Sequence, residues 1–123
     1  MIWQKQSGVS VVFRIDSGKT VIAQEAEQSL FRVIQEALSN ISRHSRATAA
    51  SIFLTFYEDH LTLQISDNGV GFDKKTIKHG LGLQSMEERV KELGGTLKMN
   101  STASGTTITI MVPQAGWEKK NGD

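Results

Sequence analysis

Three groups of residues in this 123-residue chain have types and spacings that could do chemistry. Glu36 and Asn40 stand at i and i+4 in an apolar-patterned segment, so on a helix they lie one above the other on the same face. An acid and an amide so placed can look together into a cleft, although the same pair also describes an ordinary solvated helix flank. The second group is Asp67-Asn68-Gly69-Val70-Gly71. Asp67 shares parity with Leu61, Leu63 and Ile65, so a strand through them turns its carboxylate toward the apolar face. Burying a carboxylate is costly unless donors meet it, and these must be the amides of Asn68, Gly69 and Gly71, or a ligand. Turn capping is the alternative use of Asp-Asn-Gly, but Gly71 bares more backbone than a tight turn needs, which points to close approach by a ligand. The third group, Gly80-Leu81-Gly82, precedes a helical pattern whose first amides lack intrahelical partners, a geometry suited to an anion such as phosphate. A lone GxG also serves as a flexible lead-in to a helix. Neither a G-x-G-x-x-G dinucleotide fingerprint nor a P-loop is present.

These groups need elements to hold them. After Gly8, Val9, Val11, Phe13 and Ile15 alternate with Ser10, Arg14 and Asp16, a period of two that predicts a strand closed by Ser17-Gly18. From about Ala23 to Arg43 the period changes, and Leu30, Val33, Ile34, Ala37, Leu38 and Ile41 form one helical stripe. Glu36 and Asn40 fall at the border of that stripe, where a polar group can look into a cleft beside the core. Ile52, Leu54 and Phe56, then Leu61, Leu63 and Ile65, predict a hairpin turned by Glu58-Asp59-His60. Leu83, Met86, Val90 and Leu93 predict a second helix that ends at Gly94-Gly95. Thr96–Asn100 and Thr106–Val112 predict a last hairpin, stopped by Pro113. Strands with one polar face and helices with one apolar stripe imply an α+β, two-layer sandwich, with helices on one face of a mixed, largely antiparallel sheet.

Composition narrows the function classes. The formal net charge is +1, too small a field for gripping a polyanion, so nucleic-acid binding is not expected. Cysteine is absent, which removes disulfide scaffolds, thiolate metal sites and cysteine nucleophiles, and makes an intracellular compartment the simple expectation. The apolar runs are a few residues long against the ~20 that span a bilayer, so no direct membrane contact is expected. The length suits one domain, expected over residues 8–113, with 1–7 a disordered or linker segment and 114–123 a C-terminal tail.

In chain order the blocks are Gln35-Glu36-Ala37-Leu38-Ser39-Asn40-Ile41-Ser42-Arg43-His44-Ser45, then Asp67-Asn68-Gly69-Val70-Gly71-Phe72, then Gly80-Leu81-Gly82-Leu83, then Gly105-Thr106-Thr107. With these blocks the chain resembles the ATP-binding catalytic domain of bacterial sensor histidine kinases, within the superfamily of gyrase, heat-shock chaperone, kinase and mismatch-repair ATPases that share the Bergerat fold. The blocks look like its N box, two glycine boxes and final glycine-threonine element. The stretch from Gly80 to Gly95 resembles the subgroup whose partners are regulators with helix-turn-helix output domains.

The resemblance implies ATP and Mg²⁺ as cofactors. It implies that Asp67 accepts from the adenine amine, that Asn40 offers its carbonyl oxygen to Mg²⁺, and that Glu36 polarises the attacking group or a water, a role that an acid beside the phosphoacceptor can share. Gly69 and Gly71 give the adenine room, and Gly80, Leu81, Gly82 and Leu83 bring helix amides to the phosphates; Thr106 and, at the helix end, His44 complete the nucleotide-binding set. His60 and His79 fall in loops expected to be solvated. The implied activity is donation of the γ-phosphate to a histidine on a separate dimerisation and phosphoacceptor segment, for relay to a response regulator. No such segment precedes Val9, so an excised catalytic domain is expected: monomeric, cytoplasmic, from a parent that can be membrane-anchored. The competing possibilities are an anti-sigma-type serine protein kinase of the same superfamily, disfavoured by Met86-Glu87-Glu88-Arg89-Val90, and a non-catalytic ATP-dependent binding module, disfavoured by intact Glu36, Asn40 and Asp67.

Overall fold

Alternation of apolar and polar side chains carries the chain into strands, and the two 3.6-period stripes carry it into helices, close to where the spacing predicts them. A computed structural model describes residues 2–4, 9–16, 22–44, 46–70 and 83–117. The elements are β1 (Ile2–Gln4), β2 (Ser10–Asp16), α1 (Gln24–His44), β3 (Ala49–Phe56), β4 (His60–Asp67), α2 (Leu83–Glu92), β5 (Thr96–Thr102), β6 (Gly105–Pro113) and α3 (Gln114–Trp117). They form one six-stranded sheet in the order β1-β2-β3-β4-β6-β5. Among the described residues, only β2 and β3 run parallel, with α1 between them in the chain, and every other pairing is antiparallel. The mixed, largely antiparallel two-layer architecture is as the sequence pattern predicts.

The core lies between the sheet and the helices. From α1 come Leu30, Val33, Ile34, Ala37 and Ile41, from α2 Met86 and Val90, and from the sheet Val11, Ile52, Leu61, Leu63, Ile65, Ile108, Ile110 and Val112, all buried. The opposite sheet face leaves Val12, Phe53 and Met111 exposed. Glu25 and Glu27 sit in the first turn of α1, where carboxylates suit the positive end of the helix dipole. At the end of α2 the chain closes a capping motif in which Gly95 N–H donates to Val90 O and Gly94 N–H to Lys91 O, both at 2.9 Å. Gly94 takes the left-handed φ of 73° that this cap requires.

Both ends depart from expectation. Ile2–Gln4 is not a disordered or linker segment but an edge strand, paired antiparallel with β2 as Ile2↔Val12, Trp3↔Val11 and Gln4↔Ser10. It covers the backbone groups that β2 would otherwise expose. Gln114–Trp117 is not tail but a helical turn. Trp117 is 3% exposed, stands edge-on to Phe56 with ring centroids 5.2 Å apart, and its carbonyl accepts from Ala23 N–H at 2.8 Å.

Candidate functional site

The register of the sheet determines what meets at its centre. Asp67 is the last residue of β4, opposite Ala50 on β3 and Thr106 on β6, and Thr106 in turn stands opposite Ser101 on β5. Period-two geometry places Asp67 on the helix side of the sheet with Leu61, Leu63 and Ile65, half-buried where they are fully buried. Above it lie α1 and α2. A small cavity of about 10 Å³ is lined by Ala37, Asn40 and Ile41 of α1, Leu83 and Met86 of α2, and Ile65, Asp67, Met99, Thr106 and Ile108 of the sheet. That is room for about one water molecule.

Three polar side chains therefore converge on walls that are otherwise apolar. Asn40 and Thr106 are each only 3% exposed. Gly69 N–H donates to Asp67 Oδ1 at 2.7 Å, and the nearby Thr106 N–H also favours the charged carboxylate. Burial nevertheless outweighs these donors and pushes the Asp67 carboxyl above its ordinary value, because a half-dry site disfavours the charge. The predicted donor at Gly69 is thus present, joined by one from Thr106 that parity alone does not reveal.

The remaining candidates fall as follows. Glu36 is half-buried one turn before Asn40 and is not part of the cavity wall. Asn40 is more deeply buried than a residue at the border of a stripe. Leu83 is the first residue of α2 and lines the cavity. His44 is the last residue of α1. Gly71, Gly80, Leu81 and Gly82 lie outside the described residues, as do His79 and the rest of the segment between Phe72 and Gly80. His60 does not stand free in solvent: it opens β4, its Nδ1 is 2.6 Å from Asp59 Oδ1, and its ring stacks on Tyr57 at 4.6 Å. It is at the far end of β4 from Asp67.

Sequence reasoning missed what Asn68 does. Its side-chain oxygen accepts from Thr48 N–H and Ala49 N–H, both at 3.0 Å, its amide nitrogen donates to Thr48 Oγ1 at 3.1 Å, and its own N–H donates to Ala49 O. Asn68 therefore ties the strand end that carries Asp67 to the chain entering β3. In the sequence it looks like turn chemistry, because a turn amide and a clamp have the same local signature.

Sequence comparison adds the decisive observation, since the profile of the histidine kinase-, DNA gyrase B- and HSP90-like ATPases matches residues 25–116, most of the chain and all of the cavity. The chain belongs to this ATPase family. Among relatives of the histidine kinase type, the sensor histidine kinase LiaS of Bacillus subtilis is 41% identical over 100 residues, which is 80% of this chain and 28% of LiaS. The sensor protein VraS of Staphylococcus epidermidis is 38% identical over 122 residues, 98% of this chain and 34% of VraS. The chain thus spans about a third of the length of these curated relatives. Among solved structures, the histidine kinase domain of the Erythrobacter litoralis blue-light activated histidine kinase superposes with a TM-score of 0.68 at 18% identity, covering 86% of this chain and 54% of that one. Acinetobacter baumannii histidine kinase AdeS gives 0.67 at 23% identity, covering 84% and 54%. These structures share the fold of this histidine kinase-type ATPase domain. No helix among its described residues is long and apolar enough to cross a membrane.

Proposed function

We propose that this ATPase domain binds Mg²⁺-ATP with its base in the Asp67 cavity and donates the γ-phosphate to a histidine on a separate dimerisation segment, for relay to a response regulator. The observation that carries the proposal is a carboxylate aimed into an otherwise apolar cavity between two helices and a sheet, with Asn40 and Thr106 beside it. A charge held there against its desolvation cost needs a donor ligand, and the exocyclic amine of adenine is one. The cavity holds about one water, so the base enters by displacing wall side chains; Met86 and Met99, unbranched and adaptable, are suited to yield.

The donor set also fits a magnesium ion carried by the nucleotide. Magnesium takes oxygen ligands and keeps several waters, and Asn40 offers a single neutral amide oxygen, which would help hold an ion that arrives with the nucleotide. When bound, the ion supplies neutralisation of phosphate charge. Asn40 orients the phosphate end of the nucleotide. Glu36, one turn earlier on α1, polarises the attacking group. The amides at the start of α2, which Leu83 opens, meet the phosphates. Transfer then depends on a partner histidine brought in line with the γ-phosphate.

Calorimetry tests the base assignment. A hydrogen bond to a charged group contributes roughly 1.5 to 3 kcal/mol, so Asp67→Ala should weaken ATP by very roughly 10- to 100-fold. Undiminished ATP affinity in Asp67→Ala refutes it. Labelled ATP mixed with this chain and a histidine-bearing dimerisation segment should label that segment on histidine, and labelling of this chain alone refutes transfer to a separate acceptor.

A further inference from the structure

We propose that Ser101 is a positioning residue that fixes the direction of the Thr106 hydroxyl, making the cavity present a donor beside the Asp67 acceptor and so prefer adenine to guanine. This rests on the nucleotide-binding proposal above. Asp67, Thr106 and Ser101 form a row across β4, β6 and β5, each directly opposite the next. Thr106 is the middle member, its Oγ1 only 2.7 Å from Ser101 Oγ. Ser101 is half-buried behind Thr106 and is not part of the cavity wall, so it acts on a ligand only through its neighbour.

Each hydroxyl has one proton and can both donate and accept. If Ser101 donates to Thr106, the Thr106 proton remains for a ligand in the cavity. If Ser101 accepts, that proton is engaged and Thr106 shows the cavity only lone pairs. The two polarities suit different bases. Adenine presents an amine donor beside a ring-nitrogen acceptor, which matches a carboxylate next to a hydroxyl donor. Guanine presents a ring N–H beside an amine, two donors, which match a carboxylate next to a hydroxyl acceptor. Asp67 alone therefore does not reject guanine; the direction of the Thr106 hydroxyl does. Thr106 is 3% exposed, so water does not freely reset that direction, and the partner within hydrogen-bond reach on the next strand is Ser101.

The test is nucleotide titration of the intact chain with ATP, GTP and 1-deaza-ATP, which keeps the amine but lacks the adjacent ring acceptor. The unmutated chain should bind ATP about two- to tenfold more tightly than 1-deaza-ATP, the range of one neutral hydrogen bond. In Ser101→Ala the Thr106 hydroxyl is free to turn, so the ATP-to-GTP ratio should narrow by a similar factor, and Ser101→Thr should restore it. In a Thr106→Val background, Ser101→Ala should change the ratio no further, whereas a role in sheet stability alone would leave it unmoved throughout. Equal binding of ATP and 1-deaza-ATP, an unchanged ratio in Ser101→Ala, or an effect that persists without the Thr106 hydroxyl overturns the proposal while leaving ATP binding intact. Failure of the unmutated chain to bind ATP removes the nucleotide-binding proposal itself, and this one with it.

Discussion

Gly105 crosses the Asp67 peptide so closely that a Cβ on it would stand 2.1 Å from the Asp67 carbonyl oxygen. Its φ of 141° is also one that side chains rarely adopt. The glycine before Thr106 is therefore what allows β6 to bring Thr106 level with Asp67. Gly105→Ala combines strain and overpacking and should cost roughly 2 to 4 kcal/mol of stability. Because relief requires Asp67 and Thr106 to separate, ATP affinity should fall as well under conditions where the variant remains folded. A denaturant titration beside an ATP titration checks both, and an unchanged unfolding midpoint would contradict the contact.

The Asp67 carboxyl has opposite consequences for stability and binding. Burial raises its folded value above the ordinary 3.8, so its contribution to stability is fully present below the ordinary value and is lost as pH rises through the raised one. At neutral pH the ionised group costs stability. Asp67→Asn should therefore leave Tm unchanged or raise it at pH 7, with any advantage disappearing on acidification. ATP affinity of the unmutated chain should decline as pH falls through the same range, because the charge-assisted acceptor is lost, while the Asn variant stays weak throughout. Thermal melts and calorimetry across pH 3 to 8 measure both, and a higher Tm for the unmutated chain at neutral pH would run against this account.

Asn40 and Glu36, one turn apart on α1, should separate metal from chemistry. Asn40→Ala should remove the magnesium-dependent part of ATP affinity and cost metal-free adenosine, whose proposed cavity it also lines, less. Glu36→Gln is nearly isosteric and should preserve binding while slowing phosphoryl transfer, a general-base loss commonly of 10²- to 10⁴-fold. Titrations with and without magnesium, followed by single-turnover transfer to the acceptor segment, distinguish the two roles. Equal losses for both ligands in Asn40→Ala would mean that the helix itself had been disturbed.

The C-terminal turn should matter to the whole domain. Trp117→Ala removes a fully packed ring, its edge contact with Phe56 and the order of the carbonyl that caps Ala23 N–H. Emptying such a site costs about 3 to 5 kcal/mol. Gly116→Ala should be similarly disruptive, because its Cβ would fall 1.8 Å from Leu93 O. Chemical unfolding of each variant gives the answer; a midpoint like that of the unmutated chain would make the segment a dispensable tail after all.

Elements with a clear period were visible in the sequence. Leu61, Leu63 and Ile65 carry parity to Asp67, and Leu30 to Ile41 fix the face of α1, because burial on one side imposes spacing. Ile2–Gln4 was not visible, since three residues are too few to show a period. Gln114–Trp117 was hidden by its preceding proline, by Gly116, a poor helix former, and by being too short to show a period. The parallel match of β2 to β3 and the Asn68 clamp depend on pairings distant in sequence, which local patterns do not encode. In the candidate site, Asp67 was recognisable by its conflict with its surroundings. Met86, Met99 and Ser101 had no such conflict to mark them.

The strand order places β6 between β4 and β5, so Asp67 meets Thr106 only after the chain has passed through α2 and a further strand. The cavity therefore forms from contacts remote in sequence, the kind whose loop closures make folding slow and late. Its walls come from α1, α2 and three strands, and a half-assembled chain has nothing to offer a base. Nucleotide should accordingly act on the finished domain, deepening the native well by mass action and retarding escape from it, while leaving the rate of first folding untouched.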